Sequence, residues 1–263
     1  MKDEKKEAGI VLPKQKVKAT ETNPRVLVIY SKPKVGKTEL TSKLENSLIL
    51  DLEDGSDYID AVKIKANNVA EIKAIGEQIK KEKYPYEYLI VDTVTKLEEF
   101  CIPYAEKLYS KTLPGKNWFK STDGKTLDPT SGKARYGDIL SLPDGAGYKY
   151  LRQAMSNMLN YIGTLAPYII ILAHVKVISL EREGENVSLS DLDLTGKIKN
   201  MLSTYSDGIG YMYRSKNKTN ILSFESSDDI LCGTRSEHIR NKKIVISELI
   251  DGELKTYWDK VYI

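Results

Sequence analysis

Two cysteines, Cys101 and Cys232, and two histidines are all that 263 residues contain of those types. Cysteines so few and so far apart exclude a disulfide framework and a cysteine-ligated zinc site, fit a reducing cytoplasm and read as packing residues. No apolar run approaches the roughly 18 residues that a membrane span needs, although 41% of the chain is hydrophobic. The first residues, Met1 to Glu7, lack the apolar stretch of a secretory signal, so a soluble cytoplasmic protein without a membrane partner is expected. Excess charge is missing too: 40 basic residues face 37 acidic ones, a net of +3, which excludes a global nucleic-acid signature and leaves only local basic loops for such a contact. Phenylalanine is scarce at three, against seventeen tyrosines. Tyrosine stacks on bases, and it also fills half-buried strands with its hydroxyl at the surface.

What is present is an alternation of strand and helix patterns, which a chain of this length can bury as one α/β core. Residues 1–23 are Lys- and Glu-rich without a sustained period and are expected to form a flexible tail. Residues 24–263 are expected to form a single domain. Arg25 to Tyr30 reads as a buried strand, Ser47 to Leu52 as a second, Ala61 to Lys65 as a short third, and Tyr86 to Asp92 as the next. Val69, Ile72, Ile75 and Ile79 predict an amphipathic helix over 68–83. A helix from Val94 is expected to be bent or interrupted by Pro103. Residues 110–147, with Pro114, Pro129, Pro143 and the dipeptides Asp123-Gly124 and Asp144-Gly145, predict a loop-rich insertion with a small hairpin around Trp118 and Phe119. Tyr148 to Leu165 is helical in period, and Tyr168 to Ala173 is a continuous apolar strand for the centre of a sheet. Gly208 to Arg214 and Asn220 to Glu225 alternate as strands joined by Ser215 to Thr219. Asp251-Gly252 predicts a C-terminal β-hairpin between Ile244 to Ile250 and Glu253 to Trp258.

The first strand runs into Ser31-Lys32-Pro33-Lys34-Val35-Gly36-Lys37-Thr38, followed by Glu39 and a helix with Leu40 and Leu44 on one face. Strand, tight loop, Gly-Lys-Thr and helix form a P-loop, in which backbone N–H groups and a helix N-terminus converge on a phosphate. Residues 31–39 are therefore the nucleotide-binding candidates, with Lys37 reaching the β- and γ-phosphates and the Thr38 hydroxyl binding Mg²⁺. Ser31 stands where the pattern has glycine, which works only if the backbone there needs no glycine-only conformation. The bland alternative is a strand-turn-helix with a surface lysine. Leu89-Ile-Val-Asp92 is an apolar strand ending in a carboxylate, a second Mg²⁺ ligand beside Thr38 or merely a cap for the next helix. ATP hydrolysis also needs a carboxylate to polarise the attacking water. Leu50-Asp51-Leu52-Glu53 is similar to the aliphatic-Asp-x-Glu arrangement of RecA-type ATPases and nominates Glu53 as general base; a solvated acidic loop is the other reading. His174, closing the central apolar strand, reads as a γ-phosphate sensor or as an ordinary structural histidine.

Together these motifs, with Tyr136-Gly137, Gly145-Ala-Gly-Tyr-Lys-Tyr-Leu-Arg152, Ile171-Leu-Ala-His174 and Gly233-Thr-Arg-Ser236, resemble the RecA-like phage nucleotide-binding family, or phage AAA-type ATPases, which includes single-strand annealing and recombination proteins. The resemblance spans roughly residues 24–246. It implies a RecA-like P-loop NTPase core: a mostly parallel central sheet, helices on both faces and ATP with Mg²⁺ at a boundary between subunits of a ring or filament. It also implies a bacterial host cytoplasm and a basic residue supplied by the neighbouring subunit, for which Lys216, Lys218 and Arg235 are candidates, each of which reads equally as a solvated surface charge. Single-stranded DNA would meet the polar segment from Glu181 to Tyr205, with Lys197 and Lys199, and the Lys111 to Arg135 insertion. The expected function is ATP-dependent annealing or recombination of single-stranded DNA. The alternatives are a P-loop ATPase that remodels a protein partner and a small-molecule kinase, the latter disfavoured by the lack of an Arg-rich lid segment.

Overall fold

The computed structural model describes residues 12, 14–118, 125–127, 134–136, 139–182, 185–227 and 229–263. In chain order its elements are β1 (Val26–Ser31), α1 (Lys37–Ser42), β2 (Ser47–Asp51), β3 (Lys63–Lys65), α2 (Val69–Lys81), β4 (Tyr88–Asp92), α3 (Val94–Tyr109) and α4 (Leu113–Trp118). There follow β5 (Lys125–Leu127), β6 (Ala134–Tyr136), α5 (Ala146–Ile162), β7 (Tyr168–Arg182), β8 (Glu185–Leu192) and α6 (Ile198–Tyr205). The chain closes with β9 (Gly208–Arg214), β10 (Asn220–Ser223), β11 (Gly233–Thr234), β12 (Lys243–Ile250) and β13 (Glu253–Thr256).

One sheet organises the molecule, in the order β13-β12-β10-β9-β1-β7-β4-β2-β3, with β11 on β9 and β8 on β7. From β9 to β3 every pairing on this path is parallel, and from β9 to β13 every pairing is antiparallel. Strands buried on both faces read as unbroken apolar runs, and β1 shows why. Val26, Val28 and Tyr30 enter the core beneath α2, α3, α5 and α6, while Leu27 and Ile29 enter the opposite core with Leu40 of α1, Trp258 and Val261. The α/β core with a mostly parallel centre, helices on both faces and a C-terminal hairpin is thus the expected P-loop NTPase architecture. The hairpin turn adopts the predicted left-handed conformation at Asp251 (φ 50°) and Gly252 (φ 86°). Among the described residues no helix is long and apolar enough to cross a membrane.

Several expectations need correction. Pro103 lies inside α3, which runs uninterrupted through it. Its ring faces solvent, and the buried Cys101 and Ala105 on either side keep both halves packed on the core. Leu44 falls beyond the end of α1 and packs on the core from the following turn. Trp118 ends a short helix, and the small hairpin is β5–β6, further along the chain. Phe119, Asp123-Gly124, Pro129, Gly137 and residues 1–11 of the expected tail lie outside the described residues. His174 does not end its strand: β7 leaves the parallel sheet there and continues to Arg182, paired antiparallel with β8. The polar segment from Glu181 to Tyr205 thus holds, among its described residues, the end of β7, the strand β8 and the helix α6.

Candidate nucleotide site

The site forms at the carboxyl ends of the parallel strands, where ligands of open α/β sheets gather because loops and helix N-termini face the same crevice. Ser31 ends β1 fully buried. It is absent from the left-handed positions, which in this loop are Lys34 (φ 63°) and Gly36 (φ 101°). Serine is compatible with its place because only Gly36 needs glycine's freedom. The Ser31 hydroxyl also does something glycine cannot: it accepts from Lys37 Nζ at 3.1 Å and donates to the Lys32 carbonyl at 2.8 Å. Gly36 caps α1, its carbonyl taking the Leu40 N–H at 2.9 Å. Lys32, Pro33 and Lys34 form the exposed outer loop, with Val35 half-buried, and Glu39 is exposed in the first helical turn.

Lys37 is 7% exposed. Burial pulls its ammonium below the ordinary lysine value, against the opposing pull of the Asp92 and Glu53 carboxylates. The Thr38 hydroxyl donates to Asp92 Oδ2 at 2.6 Å. Burial lifts the Asp92 carboxyl above its usual range and the Glu53 charge adds to that, while the Thr38 hydrogen bond and Lys37 oppose it. A buried carboxylate short of positive charge, next to a hydroxyl, is a hard-oxygen pair that suits Mg²⁺. Among the described residues no cluster of three or more His, Cys, Asp or Glu forms a metal cage.

Glu53 lies on an exposed loop with Asp54 and Asp57, yet unlike them it turns its carboxylate towards the strand ends. Asp51, 1% exposed at the end of β2, accepts the Glu53 N–H at 3.0 Å and the Ser56 N–H at 3.1 Å, and also the Ser56 hydroxyl. Burial pushes the Asp51 carboxyl up, but the Ser56 and Glu53 donors outweigh it and hold it below the usual range. The loop so folded turns the Glu53 side chain back to β4 and β7. Thr93 donates to its Oε1, and His174 Nε2 lies 3.3 Å from its Oε2. The His174 hydrogen bond leads in holding the Glu53 carboxyl below its usual range, helped by Thr93 and Lys37 against burial. His174 stands across from Ser31 in the β1–β7 register, and its buried Nδ1 has no partner among the described residues.

The three basic candidates separate. Because β9 runs parallel to β1, its far end brings the exposed Lys216 and Lys218 to the edge where the P-loop lies. Arg235 sits at the other end of β9, where it pairs with Asp207 at 3.0 Å and donates to the Thr204 carbonyl at 3.1 Å. It does not join the site of its own chain. Lys197 is exposed at the start of α6, but Lys199 is held in an ion pair by the buried Asp191.

Three residues escaped the sequence reading. Thr93 caps α3 while binding Glu53, and its place between strand and helix was the available signal. Arg214 Nη2 donates to the P-loop carbonyl of Val35 at 3.3 Å, from the last residue of an alternating strand. Trp258 Nε1 donates to the Leu40 carbonyl at 3.1 Å across 218 positions, for which no local signal exists.

No curated protein sequence matches the chain. Among solved structures, a KaiC-like protein from the hyperthermophilic archaeon Pyrococcus horikoshii OT3 is similar, with 10% sequence identity, 89% of each chain covered and a TM-score of 0.43. A family model described as AAA domain matches residues 23–236. That span holds the P-loop, Asp51, Glu53, Asp92, Thr93, His174 and β9, and the chain belongs to the AAA domain family of P-loop NTPases.

Proposed function

We propose that the chain binds ATP with Mg²⁺ and hydrolyses it. The observation that carries this reading is that Lys37 held by Ser31, the Thr38–Asp92 pair and the Glu53–Thr93–His174 set stand together at the carboxyl ends of the parallel strands, with the Asp92 and Glu53 charges both acting on Lys37. The Lys37 ammonium and the N–H groups opening α1 bind and orient the β- and γ-phosphates. Thr38 and Asp92 would hold Mg²⁺, which when bound spreads the charge of the phosphate oxygens. Glu53, kept ionised by its partners, takes a proton from the attacking water as that oxygen bonds to the γ-phosphorus and the bond to the bridging oxygen breaks, leaving ADP and phosphate. His174, bound to the base and adjacent to the P-loop strand, couples occupancy of the γ-phosphate position to the β7–β8 ribbon.

The finer reading is a phage-type protein of the bacterial cytoplasm that self-assembles as a ring or filament, binds single-stranded DNA and promotes annealing or recombination. The motif resemblance supports it, together with the exposure of Lys216 and Lys218 at the P-loop edge, which leaves both cations open to solvent. Residues 24–263 act in it as one domain. A second reading, remodelling of a protein partner without DNA, is favoured by the ion pair that neutralises Lys199 and by the near-balanced charge.

ATP hydrolysis by the wild type and Lys37→Ala, with and without a single-stranded oligonucleotide at two salt concentrations, tests both levels. The expectation is hydrolysis that Lys37→Ala abolishes and that the oligonucleotide stimulates more strongly at low salt. Hydrolysis indifferent to DNA transfers the reading to the protein-remodelling ATPase, and none under any condition removes the ATPase reading.

A further inference from the structure

We propose that the groove between α2 and α3 docks an acidic peptide segment of a protein partner through a large apolar side chain. The groove encloses about 540 Å³, within the roughly 300–1,000 Å³ of ordinary ligand clefts. Its origin is readable along α3. Val94, Leu97, Cys101 and Ala105 fill the arc facing the sheet, yet Phe100, Tyr104 and Leu108, four residues apart, form a second apolar stripe on the flank. That stripe is only half covered, and Pro103 beside it is exposed. The groove walls are this stripe and Val69 at the start of α2.

The rim selects the occupant. Lys73, Lys107 and Lys111 line the groove, are exposed, and have no ion pair among the described residues. Glu99, the carboxylate on the same lining, is already engaged by Lys96. Three uncompensated cations around an apolar floor complement a segment that pairs carboxylates with an apolar anchor. A nucleic acid would need open ring faces for stacking. Here the Lys73 ammonium covers the Tyr104 ring at 4.7 Å and the Lys96 ammonium covers Phe100 at 5.7 Å. The rings are therefore better placed to flank an inserted side chain than to stack a base.

The test is selection of a random-peptide phage library on the full chain, followed by fluorescence anisotropy of one enriched peptide. Enrichment of acidic sequences with a large apolar residue is expected, and the Lys73→Glu/Lys107→Glu/Lys111→Glu variant should weaken the chosen peptide by at least about tenfold. All three positions are exposed, so thermal unfolding should be unchanged in that variant. A second variant, Tyr104→Ser, should weaken the same peptide while leaving the response to salt intact. The proposal is overturned if no peptide is enriched, if the enriched peptides are basic, or if the triple variant binds them as the wild type does. It is equally overturned if oligothymidylate binds the chain and both variants abolish that binding in place of peptide binding.

Discussion

Glu53 is oriented by two hydrogen bonds and a main-chain tether, and each contributes differently to the proposed reaction. Thr93 and His174 hold the carboxylate in place, and Asp51 holds the turn from which it projects. Glu53→Gln keeps the size and the acceptor for Thr93 but removes the base. Nucleotide affinity should then be nearly unchanged while hydrolysis falls about 10²–10⁴-fold, the usual span for a positioned proton acceptor. Single-turnover hydrolysis measured beside a fluorescent-nucleotide titration separates the two; undiminished turnover would remove Glu53 from the chemistry. At this scale the sequence was informative where chemistry is local. The positions of Ser31, Lys37, Thr38 and Asp92 were legible because the P-loop is contiguous and the proposed metal ligand ends a short apolar strand, β4, although β7 lies between it and β1. The Thr93–Glu53–His174 set spans three strands and was legible only in part, since hydrogen bonds between strand ends depend on sheet order.

The turn after β2 shows what an element contributes beyond its ends. Asp51 is buried, and three donors from the next five residues outweigh that burial and hold its carboxyl below the usual range. Its folded value lies below its unfolded one, about 3.9, so the stability it contributes is fully present above that unfolded value. It is lost as pH falls through the lower folded value. Asp51→Asn, which presents an amide to donors that need an acceptor, should cost roughly 1–3 kcal/mol at neutral pH. The difference from wild type should shrink in acid below the usual carboxylate range. Urea unfolding at neutral and strongly acidic pH would measure it, and a difference independent of pH would remove the carboxylate argument. Elements themselves were legible wherever burial is one-sided or complete, as in α2, α5 and β7. The misses have a common cause: tertiary packing carried α3 through Pro103, and pairing with β8 carried β7 past its apolar stretch.

On the scale of the whole molecule, the nucleotide site rests on the far end of the chain. Trp258 packs in the core beneath α1 and donates to Leu40, so a helix of six residues is buttressed by a side chain that no local rule connects to it. Short helices draw their stability from such packing rather than from propensity. Trp258→Ala should destabilise the fold by about 3–5 kcal/mol and weaken nucleotide binding, whereas Trp258→Phe should lose only the hydrogen bond, about 1 kcal/mol. Calorimetric unfolding with and without nucleotide would compare them, and equal effects of the two variants would discount the packing argument. The same topology sets a timetable for synthesis. β1 precedes every other described strand, yet its two neighbours, β7 and β9, begin at Tyr168 and Gly208. A nascent chain therefore carries this buried strand without either neighbour until Tyr168 and the residues after it have emerged. Nucleotide cannot assist that early stage, and chaperone demand should be greatest before β9 emerges.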